Sequence, residues 1–221
     1  TDLPDLDDVT TFDYMLGNCA ALLGNESLDN WDVSSGTSFS SMFQGASSFN
    51  RPIGNWDVGN GTIFYAMFRL ANSFNQDIGD WDVSQGIDFG LMFSFNTSFN
   101  QDISTWNVGE GTHFNSMFRN ATAFNQDLGS WNVSKGTDFS SMFYAASIFN
   151  QDISGWNTGA GKDFSNMFRE TDAFNQNIGS WDVSEATDLN GMFYEATAFN
   201  QDLGSWNVSK VTDFNRMFKD A

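Results

Sequence analysis

The chain has little of what most chemical readings of a sequence depend on. Its 221 residues include one cysteine, one histidine and two prolines. The single thiol, Cys19, forms no internal disulfide, and its place in an apolar run leads us to expect a buried structural thiol. The single histidine, His113, lies far along the chain from Cys19, so no Cys/His or Ser/His pair is suggested for nucleophilic catalysis. There is no glycine-rich phosphate loop and no metal-ligand motif, so we expect no enzyme, no catalytic residue and no cofactor, calcium being the one ion considered below. Positive charge is scarce too: 9 Lys and Arg stand against 28 Asp and Glu, a formal charge of −19 that repels nucleic acid and anionic membranes. No apolar run approaches the roughly 18 residues of a membrane span. The opening residues "TDLPDLDD" lack the basic and apolar regions of a signal peptide, which fits a chain whose export signal has been removed.

Aromatic residues and repetition fill the space those absences leave. The apolar mass is 24 Phe, 8 Trp and 9 Met, so the core must be aromatic. "FNQDIGDWDV" at 74–83 returns as "FNQDISTWNV" at 99–108, twenty-five residues later, and variants continue down the chain. Trp31, Trp56, Trp81, Trp106, Trp131, Trp156, Trp181 and Trp206 keep that spacing without an insertion, as does the Met column from Met42 to Met217. One extra residue would throw every later side chain out of its column, so the strictness implies units stacked on near-identical neighbours in a solenoid.

Within a unit, Ile78, Trp81 and Val83 follow the apolar-x-x-apolar-x-apolar spacing of a leucine-rich-repeat strand, with Asp82 facing outward. Phe89, Met92, Phe93 and Asn96 are spaced i, i+3, i+4, i+7, and Phe139, Met142, Phe143 and Ala146 repeat that spacing with apolar residues throughout, which predicts a helix of about two turns. Thr37, Thr62, Thr112, Thr137, Thr187 and Thr212 are its expected N-caps, followed by Asp88, Asp138, Asp163, Asp188 and Asp213 at the positive end of the helix dipole. The preceding Gly36, Gly61, Gly86, Gly111, Gly136 and Gly161 predict a turn with positive φ, replaced by Ala186 and Val211 in the last two units. At the corner, Phe49 and its equivalents to Phe199 plug the core, while the Asn after each, Asn50 to Asn200, is expected to hydrogen-bond the adjacent coil.

These readings give an α/β solenoid of short parallel strands and short helices, 25 residues per coil. Residues 1–25 form a degenerate coil acting as a cap, with Leu6, Thr10, Phe12, Met15, Leu16, Cys19 and Leu22 in the Val, Thr, Phe, Met, Phe, Ala and Phe slots; residues 26–221 form eight repeats, the last incomplete.

The stretch "FNQDLGSWNVSKVTDFNRMF" at 199–218 resembles the repeat of the BspA-like leucine-rich-repeat surface proteins, most closely their roughly 25-residue subgroup in mycoplasma lipoproteins, Gram-positive cell-wall proteins and many protists and algae. The W-[DN]-V…T-D-F…M-F…F-N-Q-D pattern carries the likeness over nearly the whole chain, from about Leu6 to Ala221; Gly before the Thr-Asp pair and Pro52 at the first corner depart from it. The resemblance implies a right-handed leucine-rich-repeat-like coil at a cell surface or in the extracellular space, with adhesive or interaction roles and no catalytic motif to transfer. Sequons at Asn25, Asn60, Asn96, Asn120, Asn132 and Asn207 agree with a secreted setting.

Function is then expected in the outward columns. Stacked carboxylates at Asp32, Asp57 and Asp82, with Asp80 beside them, present hard oxygen ligands at coil spacing and are the candidate calcium edge; the competing reading is a solvated face of turn-forming residues. After the Met-Phe pair come Gln44, Arg69, Ser94, Arg119, Tyr144, Arg169, Tyr194 and Lys219, a column in which the fold demands no particular type. There Arg69, Arg119, Tyr144, Arg169 and Tyr194 are a candidate partner-binding stripe, or else side chains whose stems cover the core. The leading expectation is a non-enzymatic extracellular or cell-surface interaction or adhesion module for a protein or glycan, with no nucleic acid and no membrane insertion. The alternatives are a structural spacer or scaffold that self-associates end to end and, third, calcium-dependent binding to a mineral or ice surface.

Overall fold

A computed structural model of the chain describes residues 6, 8–20 and 28–221. Units one period apart are joined by parallel bridges at a single position per coil, from Thr11↔Ser38 through Ser38↔Ile63 and on to Asp188↔Asp213. The bridge column falls where the helix start was expected, seven residues past each Trp, and no extended strand runs through the Trp-x-Val segment. That segment nevertheless points as its alternation requires: Trp81 and Val83 are buried and Asp82 is exposed.

The expected short helices are absent; among the described residues the one helical element is a 3₁₀ turn, Leu28–Asn30. In their place each coil carries a ribbon of overlapping turns. In one coil Met117 N–H donates to Phe114 C=O, Arg119 to Ser116 and Ala121 to Phe118, each closing a four-residue turn. The alternate amides do something else: Phe114, Ser116, Phe118 and Asn120 donate at 2.7–2.9 Å to Asp138, Ser140, Met142 and Tyr144 of the next coil. Ser116 and Asn120 lie at φ 55°, and equivalent residues in neighbouring coils share this left-handed backbone although few are glycine. The ribbon still buries Phe114, Met117, Phe118 and Ala121, the set picked out by the helical spacing.

Packing geometry explains the replacement. Bridged backbones lie about 4.8 Å apart, whereas neighbouring helices need about 8–10 Å between axes. Helices stacked one per coil would fan that side open. The aromatic columns instead rise almost evenly: near-parallel rings are 5.3 Å apart at Phe139 and Phe164, 5.7 Å at Phe118 and Phe143, and 6.4 Å at Trp106 and Trp131. Corner and ribbon rings also interleave, with Phe118 and Phe124 at 4.0 Å.

The Trp column does a second job. Each buried indole needs an acceptor for its N–H, and Trp56 through Trp181 find it in the preceding coil, Trp131 Nε1 donating to Ile103 C=O at 3.0 Å. The Asn corners form a ladder in which Asn100 Oδ1 accepts the Asn125 amide and the Gln126 side chain, both at 2.9 Å, and Asn125 Oδ1 accepts the Asn150 amide in turn.

Two local expectations are corrected. The Gly column does not have positive φ; what disfavours a side chain in interior coils is that a Cβ at Gly136 would lie 2.3 Å from the Phe139 ring and 3.0 Å from Val133 C=O, and Gly36, Gly61, Gly86, Gly111 and Gly161 meet the same crowding, whereas Val211 takes that place in the last coil, where the Phe214 ring is exposed. Where Ala186 replaces glycine, the residue three positions on is Leu189 rather than Phe, so the ring that would clash is gone. The threonines are not N-caps. Thr62 donates its amide and its hydroxyl back to Thr37 C=O, at 2.8 and 3.1 Å, and Thr137 treats Thr112 the same way.

In the first coil Phe12 stacks on Phe39 at 5.4 Å, but Met15 is exposed and so is Cys19, contrary to the buried thiol expected. Leu22 and Asn25 lie outside the described residues. Asn96 is fully buried, donating to Phe74 C=O and accepting the Ser98 and Phe99 amides, which removes it from the sequons open to modification.

Candidate functional site

The outward columns fall into two chemical kinds, those whose polar atoms are engaged by the coil itself and those that are not. Asp32, Asp57 and Asp82 belong to the first. One carboxylate oxygen of each accepts the amide two residues on, at Ser34, Gly59 and Ser84, all at 3.0 Å. The hydroxyl and amide of Ser84 hold the Asp82 carboxyl below its ordinary value, and Ser34 does the same for Asp32. Asp77, Asp102, Asp127, Asp152 and Asp202 at the corner make the same contact. Asp80 lines an open polar cleft of about 250 Å³ with Pro52, Asn55, Gln76 and Asp77. Among the described residues no three His, Cys, Asp or Glu side chains come together as a metal site.

The hydroxyls beside Asp80 are engaged as well. Thr105, Ser130 and Ser180 each donate to a carbonyl of the preceding coil, Thr105 to Gly79 at 2.9 Å. Two exposed ion pairs, Lys135 with Glu110 and Lys210 with Glu185, also bridge neighbouring coils. Pairs this open to solvent contribute about 0–1 kcal/mol.

The bridge column concentrates negative charge in its second half, at Asp138, Asp163, Asp188 and Asp213 in consecutive coils. Partial burial raises the Asp163 carboxyl, the Ser165 hydroxyl and amide oppose that, and the charges of Asp138 and Asp188 push it further up. A carboxyl raised by folding weakens the fold as pH climbs through and above its titration range, because the folded state then holds a charge it disfavours. Asp163→Asn keeps an oxygen acceptor for the Ser165 amide and removes the charge. It should raise the thermal midpoint at pH 7 by roughly 1–3 °C, on the scale of about 2–4 °C per kcal/mol for a chain this long. The gain should vanish below the ordinary carboxylate value of 3.8, where Asp163 is protonated anyway. Midpoints that coincide at pH 7 would remove the repulsion from the account.

The variable column has a different construction. The Arg119 guanidinium lies 5.6 Å from the Phe95 ring centre and 4.6 Å from that of Tyr144. Arg169 sits between Tyr144 at 5.0 Å and Tyr194 at 4.4 Å, and Lys219 caps Tyr194 at 5.0 Å. The run Phe95, Arg119, Tyr144, Arg169, Tyr194, Lys219 is therefore one alternating stack of rings and cations through six consecutive coils. Each contact of this kind contributes about 0.5–1 kcal/mol where exposed and more where water is excluded.

Of the predicted stripe, Arg119, Tyr144, Arg169 and Tyr194 are brought together in this stack, while Arg69 shares the column without a ring partner among the described contacts. Phe95 was missed because it comes from the neighbouring position, where a ring has swung in beside the small Ser94. The signal that could have found the rest is the strict alternation of cation and ring from Arg119 to Lys219.

The stack is neutralised unevenly. At one end Arg169 Nε donates to Glu170 at 3.1 Å and Lys219 pairs with Asp220 at 3.0 Å. At the other, Arg69 Nε, Ser94 Oγ and Arg119 Nε are shielded from water and have no hydrogen-bond partner. His113, exposed in the bridge column, meets only the Thr112 hydroxyl among the described side-chain contacts.

Searches of curated proteins and of solved structures find no match to the chain. A family model described as "Mycoplasma protein of unknown function, DUF285" matches it in three successive stretches, residues 2–94, 87–171 and 155–221. Together these span nearly every coil, and the chain belongs to that family of repeat-containing proteins.

Proposed function

We propose that this chain is a non-enzymatic interaction module of the extracellular space or a cell surface, a BspA-like solenoid of the leucine-rich-repeat class that holds a protein or glycan partner against its ring-and-cation stack. The observation that carries this reading is the stack itself. It lies in a column whose residue type the fold does not dictate, and it fixes long side chains that a merely solvated face would leave mobile. Tyr and Arg held this way form interface anchors with little side-chain entropy left to lose on binding. Many of the other outward polar groups repeat with the fold and are engaged by it, whereas a catalytic site would break the period.

The test is a panel of purified surface proteins and glycans probed with the intact chain and with a variant carrying serine at Arg119, Tyr144, Arg169 and Tyr194. The expected result is loss of at least about 10-fold in affinity, the effect of about 1.4 kcal/mol, with the aromatic near-ultraviolet spectrum retained. Binding that survives the variant, or no binding on the whole panel, would sink the proposal.

A second reading, a self-associating scaffold, draws on the outer side of the last coil. Phe214 and Phe218 are 45% and 52% exposed there, although their equivalents in interior coils are fully buried. A second copy of the chain seated on that side would cover them. Sedimentation that stays monomeric across a wide concentration range would rule it out for 1–221.

A further inference from the structure

In two consecutive coils apolar side chains interrupt the polar outward columns. Ile63 stands where the other 25-residue repeats carry Ser, Asp or His, Tyr65 where they carry Ser, Asn or Gly, and Ile87 where they carry Thr or, once, Lys. Leu70 and Phe95 share a column that is otherwise Gly, Asn, Ala, Glu and Asp. Ile63, Tyr65, Leu70 and Ile87 are 37–46% exposed, and Leu91 and Phe95 are half-buried. Between the first and last coils, Ile148 is the one other large apolar side chain this open among the described residues.

The six form one band. Ile63 is bridged to Asp88, next to Ile87; the Tyr65 ring leans over Gly90, where a Cβ would lie 3.2 Å from it, next to Leu91; and the Leu70 amide donates to Ser94 C=O, next to Phe95. At the Ile87 end the band meets an open recess of about 470 Å³, lined also by Thr62, Ser84, Gln85, Asn107 and Glu110. Apolar side chains scattered singly need no account, whereas a contiguous patch with a polar rim marks an interaction surface.

Charge narrows the partner. Across residues 62–70, 87–95 and 112–120, which carry and border the band, Arg69 and Arg119 stand against Asp88 alone, a surplus of one positive charge in a chain of −19. By contrast, residues 187–195 hold Asp188 and Glu195 with no cation. These charges act through space, at 0.15 M salt over a screening length of about 8 Å, and need no direct contact. The backbone narrows the conformation. Every amide from Ala66 to Ala71 and from Leu91 to Asn96 closes a turn or donates to the next coil, so an extended peptide finds no row of free amides to pair with. A helix closes its own hydrogen bonds, and two coils at about 4.8 Å each make a band about 10 Å wide, the width of one helix.

From these observations we infer that the band from Ile63 to Phe95 docks an amphipathic helix of a partner protein, apolar on the face it buries and acidic on its flanks, with one large side chain in the recess beside Ile87. The inference does not depend on the ring-and-cation stack being a contact surface.

The probe is a fluorescein-labelled peptide of Ala, Glu and Leu, about 20 residues long so that it is helical alone, with its leucines at i, i+3, i+4 and i+7. One control disperses the leucines around the helix, and another replaces Glu by Lys. Fluorescence anisotropy at 0.15 M salt should show the intact chain binding the first peptide at least about 10-fold more tightly than either control, a difference of about 1.4 kcal/mol. Ile63→Ser/Tyr65→Ser/Leu70→Asn/Ile87→Thr takes each residue from another repeat of the same column, Ser38, Ser40, Asn120 and Thr62, so the fold tolerates it. It should weaken binding at least about 10-fold with the near-ultraviolet spectrum retained, whereas Tyr144→Ser/Arg169→Ser/Tyr194→Ser should leave binding within about 3-fold. No binding of the acidic helix, or equal binding of the dispersed control, overturns the docking face, and preference for the Lys helix overturns the charge argument. A dimer in sedimentation that the four-residue variant abolishes would assign the band to a second copy of the chain and overturn the helical partner. A chain that ignores the helix yet binds a panel member through the stack defeats this inference and leaves the proposed function standing.

Discussion

Inserting one alanine between Phe118 and Arg119 should lower the thermal midpoint by more than about 10 °C and broaden the transition, whereas inserting a second copy of residues 119–143 at the same point should leave the midpoint where it was or raise it. The contrast follows from the ribbon. Its amides alternate strictly between closing a turn and donating to the next coil, Phe118 and Asn120 donating forward while Arg119 and Ala121 close turns. One added residue exchanges those roles for everything after it and turns inward side chains outward, starting with Ala121 and Phe124. Burying a Phe-sized side chain amounts to about 3–5 kcal/mol when it is lost, so displacing even two rings exceeds a large share of the roughly 5–15 kcal/mol by which a domain is stable. A 25-residue insertion moves every column by one coil and breaks none. Similar midpoints for the two insertions would mean that the columns do not carry the stability, and the account of the fold given above would fail with them.

The second large effect is a point substitution. Phe118→Ala should destabilise the chain by about 3–5 kcal/mol, or roughly 10 °C in midpoint at about 2–4 °C per kcal/mol. Phe214→Ala, in the last coil, should stay near 1 kcal/mol because its ring is already 45% exposed. Phe118 stacks on Phe93 and Phe143 in its own column, lies 4.0 Å from Phe124 and tilts against Trp131. Both vertical neighbours are themselves held in columns, so the site has little freedom to collapse onto the cavity. Urea titration of the two variants measures this directly; comparable losses would show that the core yields around a missing ring and that stacking geometry contributes little beyond burial.

What was legible in the sequence is which side chains point inward. Periodicity alone placed Trp81, Val83, Phe139, Met142 and Phe143 in the core and Asp82 outside it, and all six are so placed. Where the backbone amides go was not legible. A spacing of i, i+3, i+4, i+7 is satisfied by a helix and equally by a ribbon of turns, and only the distance to the next coil decides between them. For the same reason the threonines were assigned to helix caps when their donors reach back a whole coil, as Thr62 does to Thr37. Gly136 was singled out correctly for the wrong reason, since crowding by Phe139 and positive φ both exclude side chains and leave the same mark on a sequence. In the candidate site the alternation of Arg119, Tyr144, Arg169 and Tyr194 was visible, but Phe95 was not, because a ring that crosses from one column into another breaks no spacing rule.

The forward-donating ribbon makes the stack directional. In an interior coil four main-chain amides, those of Phe89, Leu91, Phe93 and Phe95, point ahead to the next coil, while two, those of Ile87 and Asp88, point back. The leading edge of any coil is therefore a comb of donors on its ribbon side, and the trailing edge is the matching comb of acceptors. Two edges of the same kind cannot pair through their main chains, whatever their apolar surfaces offer. Coils of this repeat can be joined only nose to tail, and an assembly of such modules would inherit an arrow from its backbone, with one end that presents donors and one that presents acceptors, before any side chain has expressed a preference.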